Sequence, residues 1–139
     1  MASSWLTGNP AKVCSGLVLG LVLSTGNTLV HGQRYQDFIT KTPLKESHIL
    51  IIGFMGGRES WKNDERGVRK LALKLRAMNF PAVHVETVEN AKRGRAIELI
   101  RNALDRDGNG RLDQHEQLSA RLILYGQSFG GAAVVKLAR

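Results

Sequence analysis

The sequence is poor in cysteine and in aromatic residues, and it has no long apolar run. Its 139 residues include one cysteine, and aromatic residues make up 6% of them. The single thiol, Cys14, has no partner for a disulfide within the chain, and it lies in an N-terminal segment that we expect to be removed. Disulfide-stapled folds and cysteine nucleophiles are therefore excluded for the mature chain. With 42% apolar residues, the chain is long enough for one domain with a core.

The N-terminal 32 residues differ in composition from the rest. Lys12 is followed by the apolar run Val13–Leu23 and then by the small and polar stretch Ser24–Gly32, an order typical of a secretory signal peptide. The apolar run has 11 residues, whereas a helix needs about 20 to cross a bilayer. We therefore expect residues 1–32 to direct export to a secreted or periplasmic location, and we expect no permanent membrane span. A signal anchor or a buried first helix is the less favoured alternative.

Positive charge exceeds negative charge, and aromatic residues are not interleaved with it. The chain has 20 Lys+Arg against 12 Asp+Glu, a net charge of +8. The basic stretches 66–76 and 92–101 also carry apolar residues at helical spacing, which favours the solvated faces of two amphipathic helices. Because no recognised nucleic-acid-binding motif is present, we expect no nucleic-acid partner. A weak attraction to anionic surfaces or acidic substrates stays open.

Apolar runs and helical periodicities alternate along the rest of the chain. After a polar linker at 33–46, the order is strand, helix, strand, helix, strand, helix, without an internal repeat. The elements are predicted at 48–52, 64–78, 81–88, 96–104, 121–126 and 130–139. Asn63 or Asp64 is the predicted N-cap of the first helix. This alternation predicts an α/β domain at 47–139, with a parallel sheet, right-handed crossovers and helices on both faces.

One motif lies between the third strand and the third helix. Gly126-Gln127-Ser128-Phe129-Gly130 fits G-x-S-x-G, the pattern of a nucleophile elbow. In such an elbow the flanking residues must be small, because the backbone turns tightly and leaves the serine oxygen exposed. The position after a buried strand makes Ser128 a candidate nucleophile. The alternative is a glycine-rich turn in which the serine only caps a helix.

The segment from Leu122 to Ala138 resembles the nucleophile elbow of the α/β-hydrolase superfamily. Upstream, the segment from Ile49 to Gly57 is similar to the strand and loop that lead to the oxyanion hole in that superfamily. The resemblance implies an α/β-hydrolase-like fold that acts on a small ester or amide substrate. By motif, it implies one nucleophile and two oxyanion donors: Ser128, the backbone N–H of Phe129, and that of Phe54 or Met55.

The chain departs from that superfamily in one respect. The family order places an acid and a histidine after the serine, but the 11 residues that follow Ser128 include neither. All four histidines precede the serine: His31, His48, His84 and His115. The resemblance therefore implies a hydrolase domain that is incomplete at its C-terminus and inactive as it stands, since no general base is available to the serine.

A second motif occupies the connection between the second helix and the third strand. The segment from Asp105 to Glu116 fits the EF-hand loop pattern D-x-[DN]-x-[DN]-G-x5-E without a gap. Alternate oxygen ligands in such a loop wrap one hard cation, and the sixth residue is glycine because the chain turns sharply there. The predicted calcium ligands are Asp105, Asp107, Asn109, the backbone carbonyl of Arg111, Asp113 and Glu116. The alternative is an acidic turn without metal. Only about one helical turn, 117–120, is expected between this loop and the strand.

These observations lead to two functional hypotheses on one fold. The first is an exported, calcium-binding serine hydrolase-like protein, in which Ca²⁺ stiffens the loop that delivers the nucleophile strand. The second is a non-catalytic EF-hand calcium-binding protein on a hydrolase-like scaffold. The two differ in whether Ser128 performs chemistry.

Overall fold

The structure, a computed structural model, describes residues 32–139, so the predicted signal peptide lies outside it except for Gly32. Its strands and helices are β1 (Ile49–Phe54), α1 (Gly67–Ala77), β2 (Val83–Val88), α2 (Arg93–Leu104), α3 (Gln114–Leu118), β3 (Leu122–Gly126) and α4 (Phe129–Leu137). Two short 3-10 turns cover Tyr35–Asp37 and Asn90–Lys92. Among the helices of residues 32–139, none combines the length and the apolar character that a membrane crossing requires.

The three strands form one parallel sheet in the order β2-β1-β3. In the register, Gly53 of β1 lies beside Thr87 of β2 on one side and beside Tyr125 of β3 on the other. The strand β1, which comes first in the chain, is therefore the central one. Its sequence is a continuous apolar run because other strands cover both of its edges and helices cover both of its faces. The predicted parallel α/β architecture is confirmed.

Helices cover both faces of this sheet. Leu50, Ile52 and Phe54 of β1 belong to one buried cluster with residues of α2 and α4. The alternate residue, Gly53, faces the other side: a Cβ placed there would lie 2.8 Å from Cγ1 of Val68 in α1. On the same side the hydroxyl of Tyr125 donates to the carbonyl of Val68 at 3.0 Å, and burial raises the pKa of this tyrosine to about 12, so it stays a neutral donor.

The segment 33–46, predicted as a linker, packs against the sheet and α2. Leu44 is 6% exposed, and its amide donates to the carbonyl of Ala103 at 2.8 Å. The buried carboxylate of Glu86 in β2 accepts the backbone amides of Ile39 and Thr40 at 2.9 and 2.7 Å. Its second oxygen accepts from Arg76 of α1 at 2.8 Å. These backbone bonds to a paired, buried carboxylate attach the segment to the domain.

Helix starts differ from the predicted ones, and a side-chain cap accounts for that of α3. The helix α1 begins at Gly67, and its N-cap residue, Arg66, makes no side-chain cap hydrogen bond. Asn63, one of the predicted caps, instead closes a turn in which its side chain accepts the amide of Glu65 at 3.1 Å. The helix α3 begins at Gln114, inside the loop, because Asp113 accepts the amide of Glu116 at 2.8 Å and thereby caps it. At α3, a polar side chain that satisfies a free amide thus sets the starting point that apolar periodicity leaves open.

Candidate functional sites

The backbone at Ser128, the residue at the centre of the predicted elbow, has an unusual conformation. β3 ends at Gly126 and α4 begins at Phe129, and Ser128 between them has φ 56° and ψ −123°. A side chain strains the backbone in this left-handed region, at a cost of roughly 1–3 kcal/mol. The surrounding structure keeps Ser128 in that conformation, although only glycine adopts it without strain. The Ser128 side chain is exposed.

Two glycines allow this turn to close. A Cβ placed at Gly126 would lie 2.5 Å from the carbonyl carbon of Gly130. A Cβ placed at Gly130 would overlap the carbonyl oxygen of Phe54 and lie 2.8 Å from that of Met55. Both obstacles are backbone atoms, which cannot rotate away, so glycine is required at both positions.

The elbow lies at the carboxyl edge of the sheet, next to the loop that follows β1. The connection after β1 leads to α1 on one face, whereas β3 leads to α4 on the other face. In parallel sheets, neighbouring strands whose connections leave toward opposite faces open a crevice between them, and ligands bind there. Gly56 and Gln127 face each other across this point, since a Cβ at Gly56 would lie 3.2 Å from the carbonyl oxygen of Gln127.

The predicted oxyanion donors lie at this crevice, and each has a different surrounding. Phe129 is the first residue of α4, with an exposed side chain. Phe54 is the last residue of β1, and it is buried together with Met55. The amide of Met55 donates to the carbonyl of Val88 at 2.8 Å, so it reaches a substrate oxygen only if that bond opens. The next amide, that of Gly56, donates to the carboxylate of Glu59 at 3.1 Å.

The histidines within residues 32–139 lie away from Ser128. Nδ1 of His48 and Nε2 of His84 are 2.8 Å apart, and the rings stack at the amino edge of β1 and β2. Burial, and secondarily His48, lowers the pKa of His84. His115 belongs to α3, before β3 begins. The strand β1 separates the His48–His84 pair from the carboxyl edge by about 17 Å, five steps of about 3.3 Å each.

The acidic loop between α2 and α3 brings three of its predicted ligands together. Oxygen atoms of Asp105, Asp107 and Glu116 lie within 4.8 Å of one another. The Asp105 carboxylate accepts the amides of Asn109 and Gly110 at 3.0 and 2.8 Å. Gly110, the sixth residue of the loop, has φ +78°, a conformation that glycine adopts without strain. The carboxylate of Asp105, the first residue of the loop, thus holds the turn that was predicted at Gly110.

The side chains of Asn109, Asp113 and Glu116 also have hydrogen-bond partners within this segment. Nδ2 of Asn109 donates to Asp107 at 2.7 Å, and its Oδ1 accepts the amide of Arg111 at 2.8 Å. Asp113 caps α3. The two carboxylate oxygens of Glu116 accept the amides of Arg106 and Asp113 at 2.6 and 3.1 Å. A carboxylate has about four lone-pair sites, so these bonds orient Glu116 and still leave acceptor sites for a cation.

This loop lies at the opposite edge of the sheet from Ser128. It precedes the amino end of β3, whereas Ser128 follows the carboxyl end of the same strand. The four residue steps of β3 separate them by at least about 13 Å. The acidic loop is close to β3 in sequence, but the length of β3 keeps the loop away from Ser128 in space.

The sequence motifs did not indicate a cavity of about 240 Å³ beside the elbow. The residues Asn90, Ala91 and Arg93 form one side of it, and Phe129, Ala132 and Lys136 of α4 form the other. The spacing of the α4 residues, which recur at i, i+3 and i+7, identifies one helix face. Only the tertiary structure brings that face against the turn after β2.

No family model matches the chain, and neither does a curated protein or a solved structure. The α/β-hydrolase resemblance and the EF-hand pattern therefore stay predictions. Three local observations bear on them: the backbone of Ser128, the glycine contacts around it, and the gathered carboxylates of Asp105, Asp107 and Glu116.

Proposed function

We propose that this chain is a calcium-binding protein of the serine-hydrolase type, in which Ser128 accepts an acyl group from a small ester or amide. The observation that carries the proposal is the backbone of Ser128, with φ 56° between a parallel strand and a helix. A serine that only capped α4 would accept an amide of the first helical turn, but the Ser128 side chain makes no cap hydrogen bond. Its exposed hydroxyl at the carboxyl edge suits attack on a bound carbonyl carbon.

The proposed reaction needs a base that residues 32–139 do not place beside Ser128. The Oγ of Ser128 forms a bond to the carbonyl carbon, the bond to the leaving-group oxygen or nitrogen breaks, and the hydroxyl proton passes to the base. The backbone N–H of Phe129 stabilises the negative charge on the carbonyl oxygen, and that of Met55 joins it when its hydrogen bond to Val88 opens. The proposal assigns the base to a group outside these residues.

Added imidazole replaces this base in a direct test. The chain is incubated with 4-nitrophenyl acetate, with and without imidazole, and the site of acetylation is located by mass spectrometry of peptides. We expect imidazole-dependent acetylation of Ser128 at least about tenfold faster than of other serines, because the backbone N–H of Phe129, its proposed oxyanion donor, lies next to it. Without imidazole, ester turnover should equal that of Ser128→Ala.

The outcome separates the proposal from its non-catalytic alternative. Equal, slow acetylation of all exposed serines with imidazole present would leave Ser128 chemically idle, and a calcium-binding protein on this scaffold would remain. The absence of a histidine beside Ser128 within residues 32–139 is the observation that favours that alternative. Ser47, which is also exposed, is the internal comparison.

The calcium part of the proposal concerns the loop from Asp105 to Glu116. Its gathered carboxylates are hard oxygen donors, which Ca²⁺ prefers, and the turn is already formed by hydrogen bonds to Asp105. Bound Ca²⁺ would contribute charge neutralisation and cross-linking of α2 to α3. Because the loop lies at the opposite edge from Ser128, we assign the ion a structural role and no part in acyl transfer.

Calorimetry with the whole chain tests this part. We expect Ca²⁺ to bind with a Kd of roughly 0.1–1 mM, the range of extracellular modules, and Mg²⁺ to bind more weakly. Asp107→Asn keeps the side-chain size and one acceptor oxygen but removes a charge from the cluster, so binding should weaken by about tenfold. Glu65→Gln, an exposed change outside the loop, is the matched control and should bind as the wild type does. No heat of binding at millimolar Ca²⁺ would refute the assignment.

A further inference from the structure

The cavity beside the elbow has a distinctive distribution of charge. It lies between the 3-10 turn that follows β2 and the α4 helix that follows Ser128. Arg93 and Lys136 are the charged residues of its wall, and no carboxylate lines it. Neither residue forms an ion pair within the part of the chain that the structure describes. Two positive charges therefore face one small cavity without compensation.

A neighbouring cavity shows that this is not a general feature of the carboxyl edge. That cavity, of about 300 Å³, shares Asn90 and Ala91 with the first, but Arg58 is accompanied there by Glu59 and Glu89. Its positive and negative charges offset each other. Of these two cavities, only the one that α4 borders has basic residues in its wall without a carboxylate, so an anion gains more from entering that one.

We propose that the cavity between Arg93 and Lys136 binds a small anionic group, a carboxylate or a phosphate. The guanidinium of Arg93 offers paired N–H donors that match either group, and Lys136 adds a second positive charge. The volume of about 240 Å³ is below the roughly 300–1,000 Å³ of sites for larger ligands, so the cavity suits a small group and not an extended polymer.

This site also indicates the substrate class of Ser128, an inference that rests on the proposed function. Phe129 follows Ser128 directly in the chain, and it lines the cavity. An ester whose acyl part ends in an anionic group would place that group between Arg93 and Lys136 while its carbonyl reaches Ser128. Neutral esters lack this second attachment.

A titration with inorganic phosphate, followed by NMR at constant ionic strength, tests the anion site without any chemistry at Ser128. We expect saturable shifts of the amides at 90–93 and 132–136. The double variant Arg93→Gln/Lys136→Gln should bind at least about tenfold more weakly, since hydrogen bonds to charged groups contribute this much each. A second titration with acetate shows whether the site binds a carboxylate, a phosphate or both. Saturable shifts of these amides with either anion support the site.

A matched control removes the same net charge elsewhere. Lys45→Gln/Lys74→Gln changes two exposed lysines away from the cavity, and it should bind phosphate as the wild type does. Shifts that spread over the whole basic surface without saturation, or equal weakening in both double variants, would overturn the proposal. Such results would indicate general attraction to a positively charged protein.

The substrate inference has its own test. In the imidazole-assisted acylation, the mono-4-nitrophenyl ester of adipate is compared with 4-nitrophenyl hexanoate, which has the same chain length without the carboxylate. The wild type should prefer the anionic ester, and Arg93→Gln/Lys136→Gln should lose that preference by about tenfold. Acylation without a charge preference would contradict the substrate class. If neither ester acylates Ser128, the proposed function fails, while the phosphate titration still decides the anion site.

Discussion

Single residues at the elbow meet steric demands that few side chains satisfy. Gly126 and Gly130 lie against backbone atoms, whereas Gly131 does not: a Cβ placed at Gly131 would have its nearest neighbour at 3.6 Å. All three glycines lie in the short segment 126–131, yet only two of them are required by close approach. The structure thus separates glycines that the sequence alone presents as equivalent.

Gly130→Ala and Gly131→Ala should therefore have opposite effects on stability. In Gly130→Ala the new methyl overlaps the carbonyl of Phe54, so the free energy of unfolding should fall by about 3 kcal/mol or more. In Gly131→Ala the methyl fits, and removal of a helical glycine should raise it by about 0.5–1 kcal/mol. Urea unfolding measures both. Similar losses in the two variants would contradict the close contact between the elbow and the end of β1.

A second residue-scale feature is the stacked pair of His48 and His84. Their ring nitrogens are 2.8 Å apart, so one ring must be neutral to accept the hydrogen bond. Burial lowers the pKa of His84 from the ordinary value of 6.5, and the neighbouring His48 lowers it further. The folded chain therefore binds a proton at His84 less readily than the unfolded chain does.

Stability should consequently decrease toward acid. Below about pH 6.5 the unfolded chain takes up a proton that the folded chain still resists, so the free energy of unfolding falls until the pH reaches the lower pKa of the folded state. Unfolding curves between pH 7.5 and 5, a span of roughly one unit on either side of an ordinary histidine, measure this slope. His84→Gln should reduce it, whereas His115→Gln, in exposed α3, should retain it. An unchanged slope in His84→Gln would contradict the assignment.

Among the elements, the acidic loop with α3 connects α2 to β3. Glu116 is 4% exposed, and it joins the start of the loop to its end through the amides of Arg106 and Asp113. Asp107 is exposed, and its partner is Asn109 within the loop. The two carboxylates would both bind calcium, but only Glu116 also supports the fold without metal.

Melting experiments should distinguish these two roles. Calcium at tenfold above its Kd should stabilise the wild type by about 1.4 kcal/mol, because it binds the folded chain alone. Asp107→Asn and Glu116→Gln should both lose most of that shift. Only Glu116→Gln should also melt lower without metal, since its amide nitrogen would face a backbone N–H and leave a buried donor unpaired. Equal metal-free melting temperatures in the two variants would contradict this division.

At the scale of the whole molecule, the proposed anion site and the acidic loop lie at opposite ends of α2. Arg93 begins α2 and the acidic loop follows its last residue, Leu104, while Ser128 and the loop lie at opposite ends of β3. Between them, Ala96, Leu99 and Ala103 anchor α2 in the core. A packed core that holds the helix in one position offers little route for coupling between its ends.

Calcium should accordingly leave the anion site unchanged. The Kd for acetate, whose calcium salt is soluble, is measured with saturating Ca²⁺ and again in calcium-free buffer of the same ionic strength. The two values should agree within about twofold, because coupling between sites needs an element with two arrangements. The melting temperature measured in the same samples reports whether calcium has bound. A change of about tenfold in the acetate Kd would show that α2 shifts between two positions.

Much of the fold could be predicted from local pattern. Apolar runs located β1 and β3, and helical periodicity located α2, because each element buries a face whose spacing is visible in the sequence. Segment 33–46 was predicted as a linker because it is polar, but its amides bind Glu86, more than 40 residues later in the chain. Contacts of that range depend on strand order, which composition does not reveal.

For the candidate sites, the sequence by itself determined residue chemistry: a serine between glycines, oxygen donors at EF-hand spacing, and the absence of a histidine after Ser128. These properties depend only on residues that are close together in the sequence, so they can be predicted without the tertiary structure. The tertiary structure alone decided which segments lie together: it put the acidic loop at the edge away from Ser128, and Arg93 against the α4 face that bears Lys136. The physical reason is that parallel strands joined by crossovers put sequence neighbours at opposite edges of the sheet and bring distant segments together at one edge.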